Sequence, residues 1–254
     1  MLAYSSRWPL TEARWWNLSG EPLKSTILLN EQLPVARRIE NEKNGFRIAI
    51  LNFTEFINFS YEGQESVVSV LSDYKIYEDV QRARDKGADM IIACPHWGTE
   101  YQVYPDPEQS YYSQVMADAG VDVIFGTHPH VPENVEVLTG AEGNKCVCFY
   151  SNGNFVTANT TPDCMLTGIS EVTLERDGFG NCRIASAQFL PAVVHGDGGS
   201  GMTTYLLSDW TDEISDTSWQ PLSVDWVKER FSEILGEGFD PETCVYTVDL
   251  GEDA

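Results

Sequence analysis

Short, uninterrupted apolar runs alternate with helical periodicities through the first half of the chain. Residues 47–52 (RIAILN), 89–94 (DMIIAC), 121–125 (VDVIF) and 146–150 (CVCFY) each read as a strand. A continuous apolar run between turn residues suits a strand covered on both faces. Between them, residues 76–86 (IYEDVQRARDK) carry apolar positions at helical spacing and stop at Gly87. Residues 108–119 form a second predicted helix, stopped by Gly120. Glycine just past the last turn is a common helix terminator. Strand, helix, strand, helix, strand predicts right-handed βαβ units in a parallel sheet. The pattern then changes: residues 169–176 and 183–190 are predicted strands flanking Asp177-Gly178-Phe179-Gly180. That Asp-Gly signal predicts a hairpin and an antiparallel second part. Residues 224–235 (VDWVKERFSEIL) read as an amphipathic helix with Ser223 as N-cap and Gly236 at its end.

The first 44 residues, with Pro9, Pro22 and Pro34 and a cluster of Trp8, Trp15 and Trp16, show no such pattern. They are expected to be irregular and to pack on the body, because clustered aromatic surface needs cover. The organisation expected is therefore residues 1–44 as that segment, 45–210 as the main domain, and 211–254 as a C-terminal helix and tail.

Composition narrows the partners. Lys and Arg number 16 against 39 Asp and Glu, a formal charge of −23 over 254 residues. Such a surface is unsuited to nucleic acid, whose phosphates need a basic face, and to anionic membrane surfaces. No run approaches 18 apolar residues, so no membrane span is expected, and the first residues lack the pattern of a signal peptide. The six cysteines include no C-x-x-C pair, and three of them, Cys94, Cys146 and Cys148, lie in apolar strand runs. They are expected to be reduced, structural thiols.

Candidate chemistry concentrates in the histidines. His96 follows the DMIIAC strand in CPHWGTEY, and His128 and His130 follow VDVIF in GTHPH. Loops after successive parallel strands converge on one sheet edge, where open α/β sheets bind their ligands. Three of the four histidines thus fall at one place, in loops rich in Gly and Pro, which points to a metal or phosphate site. Neutral imidazole suits Mn, Fe or Zn. The fourth, His195, is expected in a flexible Gly-rich loop after the hairpin.

The stretch from Ala88 to Gly140, with HWGTEY and GTHPH, followed by Ser151-Asn152-Gly153-Asn154-Phe155-Val156, resembles the bacterial capsule-synthesis (CapA, or poly-γ-glutamate synthesis) family of the calcineurin-like metallophosphoesterase superfamily. The resemblance extends weakly from Gly45 to about Asp209. It implies an α/β fold, a partial calcineurin-like α/β/β/α sandwich with parallel βαβ units followed by antiparallel strands, and a metal centre at the strand ends. His96, His128 and His130 would match the family's metal histidines. Glu100, in the HWG-x-E-Y context, would orient His96 or a bound ligand and, with His96 and His128, form the catalytic set. Trp97, Asn152 and Asn154 would line the substrate side. Family members also carry Gly-Asp and Asn-Asn-His motifs that residues 1–44 do not reproduce. The chain is therefore expected to be a C-terminal portion or a divergent member, with a centre short of its bridging carboxylate.

The implied function is capsule or poly-γ-glutamate synthesis through a metal-dependent, phosphoesterase-like hydrolase holding Mn, Fe or Zn. The expected partner is an anionic cell-envelope polymer or a phosphoester, with bare sheet edges covered by residues 1–44 or by another copy of the chain. The alternative is a non-catalytic binding or scaffolding component of extracellular polymer assembly. Family members usually act outside the cytoplasmic membrane on an N-terminal anchor, a segment not recognisable in this sequence.

Overall fold

A computed structural model describes the backbone of residues 36–40, and residues 46–57, 69–198 and 201–251 in full. The tryptophan cluster and most of the segment 1–44 lie outside the described residues. Two sheets organise the rest. The first has the order β1 (Ala36–Glu40), β2 (Arg47–Thr54), β3 (Met90–His96), β4 (Val123–Phe125), β6 (Lys145–Phe149), β5 (Val135–Thr139). Its four central strands β2, β3, β4 and β6 are parallel, and β1 and β5 are antiparallel edges. The second sheet is antiparallel. It joins β7 (Leu166–Arg176), β8 (Cys182–Gly196), β9 (Met202–Leu206), β10 (Phe239–Asp240) and β11 (Val245–Thr247). The predicted α/β class, parallel units first and antiparallel strands after, is the observed one.

The apolar runs are continuous because both faces of the first sheet are covered. Along β3, Ile91 and Ala93 join the core under helices α1 (Asp73–Asp85) and α2 (Pro107–Ala119), while Met90 and Ile92 join the core between the sheets. In β6, Cys146 and Cys148 face the helices, and Val147 and Phe149 face the second sheet. This is the period of two expected of a strand. Helices α3 (Pro162–Met165) and α4 (Asp212–Ser215) are single turns, and helix α5 (Val224–Leu235) belongs to the same inter-sheet core, with Phe231 6.4 Å from the Phe189 ring of β8. Trp210, Leu222 and Val248 also join that core, so described residues of the C-terminal stretch pack as part of one body. All six cysteines are free.

Several helix ends follow the local chemistry. Ser72 accepts from the Lys75 N–H at the start of α1, and Asp106 closes a capping box with Gln109 on α2. Gly120 ends α2 at φ +97°, a conformation for which glycine carries no side-chain penalty. Ser223 caps α5 as predicted.

Six strands depart from the sequence reading, among them β10 and β11, which fall where only a helix and tail were expected. Ala36–Glu40 pairs with β2 inside the segment expected to be irregular; its sequence, ARRIE, has no alternating pattern to reveal it. The short strands β5 and β9 were likewise not predicted, and β8 runs six residues beyond the predicted boundary. Consequently His195 lies in β8, paired with Thr203 of β9, and its Nε2 is 2.9 Å from Thr217 Oγ1. It is a strand residue and not part of a flexible loop.

Candidate metal centre

The parallel register brings the relevant strand ends to one edge. Thr54 of β2 is level with His96 of β3, and a further parallel bridge joins His96 to Thr127 beyond β4. His96 is thus the last residue of β3, and His128 and His130 lie just past β4. The loops are tied along their backbones: Thr127 N–H donates to Pro95 O at 3.0 Å, Trp97 N–H to Thr127 O at 3.0 Å, and Tyr101 N–H to Pro129 O at 2.8 Å. The loop after β6 joins them, since Ser151 Oγ donates to Val131 O at 2.7 Å and Glu133 N–H donates to Ser151 O at 3.0 Å.

His128 and His130 have φ of +109° and +64°, and Tyr101 has +67°. Non-glycine residues occupy this left-handed region at a cost of roughly 1–2 kcal/mol each, and such strain gathers at functional sites. The turns carry two histidines separated by one proline into one space. The His128 and His130 ring centroids are 5.9 Å apart, and His96 and His128 are 4.4 Å apart.

The donor atoms that converge most closely belong to Glu100, His128 and His130, each within 4.8 Å of the others. Glu100 Oε1 is 3.8 Å from His130 Nε2. Its carboxylate is therefore turned to His130 and not to His96, one of the two partners, His96 or a bound ligand, expected from the sequence. His96 neighbours this trio through its ring contact with His128 and is not one of the three.

Asn154 determines which nitrogen of His130 is free. Its Nδ2 donates to the carbonyls of His130 (2.9 Å) and Cys164 (3.4 Å), so its Oδ1 faces His130 Nδ1 at 2.9 Å as acceptor. Nδ1 accordingly carries the hydrogen, and Nε2 is the ring nitrogen that faces Glu100. Hydrogen bonding at one ring nitrogen to select the other for a ligand is characteristic of metal-binding histidines. Burial lowers the pKa of His96 and of His128. Neighbouring histidine charge adds to both effects, against an opposing pull from Glu100 on His128. Their neutral, ligand-competent forms are favoured.

Trp97 does not line the substrate side as expected, and Asn152 is bonded into the fold. Trp97 is fully buried, and its Nε1–H donates to Tyr150 O at 3.0 Å. No ring surface remains for a substrate; the indole braces the loop against the end of β6. Close approach there requires Gly126, where a Cβ would fall 1.9 Å from Tyr150 O. Asn152 Oδ1 accepts from Ser170 Oγ at 2.8 Å, and its carbonyl accepts from Gly168 N–H and Thr167 Oγ1. It joins the loop to β7.

Other residues at the site escaped the sequence reading. The Phe56 ring lies 4.9 Å from His128, and Tyr101 stacks on His130 at 5.8 Å. Glu55 accepts the Gly98 N–H at 3.0 Å, and burial together with a hydrogen bond to Glu108 pushes its carboxyl up to about 7. For Glu55 and Phe56 the signal was topological: β2 is the parallel neighbour of β3, so its outgoing loop had to reach the same edge.

Comparison with known proteins agrees with the motifs. Over 150 residues, 58% of this chain, it is 33% identical to the PGA biosynthesis protein CapA of Bacillus subtilis (strain 168), covering 38% of that protein. It is 36% identical over 118 residues, 44% of this chain, to the capsule biosynthesis protein CapA of Bacillus anthracis, covering 28% of it. The chain thus spans well under half the length of either relative. Among solved structures, the calcineurin-like phosphoesterase YfkN from Bacillus subtilis is similar, with a TM-score of 0.35 and 15% identity over 90% of this chain and 62% of that one. The family model described as bacterial capsule synthesis protein PGA_cap matches residues 31–159, from β1 through the loop that carries Asn154. With half of its length and the whole histidine site inside that match, the chain belongs to the PGA_cap family of bacterial capsule synthesis proteins.

Proposed function

We propose that Glu100, His128 and His130 bind one divalent cation, Mn, Fe or Zn, and that this centre serves a phosphoesterase-like hydrolase in capsule or poly-γ-glutamate synthesis. The observation that carries the reading is the Asn154 contact, which leaves His130 Nε2 free beside Glu100 and His128. Two imidazoles and a carboxylate form a mixed N/O donor set suited to these ions. A bound ion would polarise a phosphoryl or carbonyl oxygen as a Lewis acid.

The protein's own groups divide the remaining work. Glu100 offsets part of the cation's charge, which two neutral imidazoles cannot do. His96, with its lowered pKa, sits beside the trio as a neutral base able to accept or return a proton. The acidic surface repels an anionic polymer except where a cation reverses the local sign. The substrate is accordingly an anionic phosphoester, or an amide or ester within an envelope polymer, that approaches through the metal.

The test pairs metal content with turnover. Purified chain is expected to carry stoichiometric Mn, Fe or Zn by elemental analysis. Turnover of p-nitrophenyl phosphate by the chain alone, even with added Mn, is expected to be little or none. Paired cations need a bridging carboxylate to offset their repulsion, and Glu100 is the one carboxylate in the converging set among the described residues. Metal-free protein that still binds the polymer would favour the scaffolding alternative. Strong Mn-dependent turnover lost in both His128→Ala and Glu100→Ala would show instead that Glu100 completes the centre.

A further inference from the structure

We propose that Gln109 and Glu133 form a buried positioning pair that locks the Glu100 loop to the His128/His130 loop, holding the three donors in one place. The proposal rests on the metal-centre reading above. Neither residue belongs to the donor set, and they are 24 positions apart, one on the first turn of α2 and the other past His130.

The geometry points to this role from three sides. Gln109 is 1% exposed and Glu133 is 1% exposed. Gln109 Nε2 donates to Glu133 Oε2 at 2.7 Å, and Gln109 Oε1 accepts the Asp106 N–H at 2.9 Å. The amide is thereby oriented by both its atoms. The third contact is Gly98, two residues before Glu100. A Cβ on Gly98 would lie 2.4 Å from Gln109 Cδ and 2.6 Å from both Nε2 and Oε1. Its φ of +87° is also one that glycine tolerates best. The backbone carrying Glu100 therefore rests directly on the amide that holds Glu133. Thr99 Oγ1 adds a 2.8 Å bond to Asp106 Oδ2, fastening the same loop to the α2 N-terminus.

Glu133 is an expensive residue for a mere filler. Its Oε1 is buried without a partner, and an unsatisfied buried polar atom normally destabilises a fold. Burial pushes its carboxyl up to about 8, so at neutral pH it is largely uncharged. A buried amide–carboxyl pair supplies one directional bond between two loops that an apolar contact would leave free to slide. Supporting residues of this kind typically alter metal affinity by about 10- to 100-fold when removed.

The experiment uses the full chain and two readouts, one of which needs no metal. Calorimetric titration with Mn2+ is expected to show binding weakened about tenfold in Gln109→Met and in Glu133→Ala. Glu133→Gln, which keeps an acceptor for the Gln109 amide, is expected to stay close to wild type. The double variant Gln109→Met/Glu133→Ala is expected to lose no more than either single change, as members of one contact do. In metal-free protein, long-range 1H–15N correlation of the imidazoles is expected to shift the His128 and His130 ring signals in Gln109→Met and not in Glu133→Gln. Gln109→Met keeps the side-chain bulk; if it fails to fold, Gly98→Ala displaces the same amide from the other side. A lowered Tm with unchanged imidazole spectra and unchanged Mn2+ affinity would overturn the proposal and leave the pair merely structural. If wild type binds no Mn2+, the metal-centre reading falls, and the imidazole spectra alone decide whether the pair positions the loops.

Discussion

His130→Ala is expected to weaken Mn2+ binding by more than about 100-fold, and His128→Ala by as much, because supporting residues alone account for about 10- to 100-fold. Each imidazole is one of only three converging donors, and no other His, Cys, Asp or Glu among the described residues completes that set. Asn154→Ala removes the acceptor that holds hydrogen on His130 Nδ1. Without it the ring can turn or change tautomer, so a loss of about tenfold is expected. His96→Ala should change affinity least of the histidine variants, since its ring contacts His128 without joining the trio. Affinity should also fall on acidification, because a protonated imidazole cannot bind a cation. The lowered pKa of His128 carries its competence to more acidic pH than a free imidazole would reach. Titration calorimetry across the variants measures all of this. Equal effects from His96→Ala and His130→Ala would assign the donors differently.

Glu133→Gln is expected to abolish a marked pH dependence of stability. The folded-state pKa of Glu133 is about 8 against an ordinary 4.5, so the native state retains a proton that the unfolded chain has released. Stability from this group is then fully present below about 4.5, falls as pH rises, and levels off above about 8. The slope approaches 1.4 kcal/mol per pH unit in that window, a loss on the order of a few kcal/mol. Burial is the main cause of the shift, partly offset by the Gln109 hydrogen bond. Urea unfolding of both proteins across this pH range should show their stabilities diverging, with the Gln variant ahead at about pH 8.5. A constant difference between them would mean that Glu133 titrates normally in the folded state.

Most of the architecture was legible because burial on both faces produces unbroken apolar runs. Strands β2, β3, β4 and β6 and helices α1, α2 and α5 emerge within a few residues of their predicted bounds. Glycines at positions 87 and 120 marked two helix ends, where the chain turns at positive φ. The strands that were missed are short antiparallel partners of the strand next to them in sequence, defined by backbone pairing across a turn and not by an apolar run of their own. Val135–Thr139 and Met202–Leu206 are each only five residues long, and neither carries a continuous apolar run. His195 was misplaced because Pro191 and the glycines that follow it resemble a loop, whereas β8 continues past Pro191 as far as Gly196 and pairs there with β9.

At the site, strand-end placement was enough to bring His96, His128 and His130 together in the reading. It could not say which way a side chain leaves a loop. Glu100 turns toward His130 because Tyr101, at positive φ, reverses the chain and bonds to Pro129 O. Trp97 turns inward because Gly126 leaves room for it beside Tyr150. Asn154 and the Gln109–Glu133 pair act across 24 positions each, a separation at which no local pattern links two residues.

The most direct test of the centre is a crystal of the full chain soaked in Mn2+, with anomalous diffraction recorded at a wavelength where Mn scatters. A single peak is predicted about 2.0–2.3 Å from nitrogens of His128 and His130 and an oxygen of Glu100, as for ions of this size, with Asn154 still on His130 Nδ1. A peak held by His96 without Glu100, or none at this sheet edge, would contradict the account.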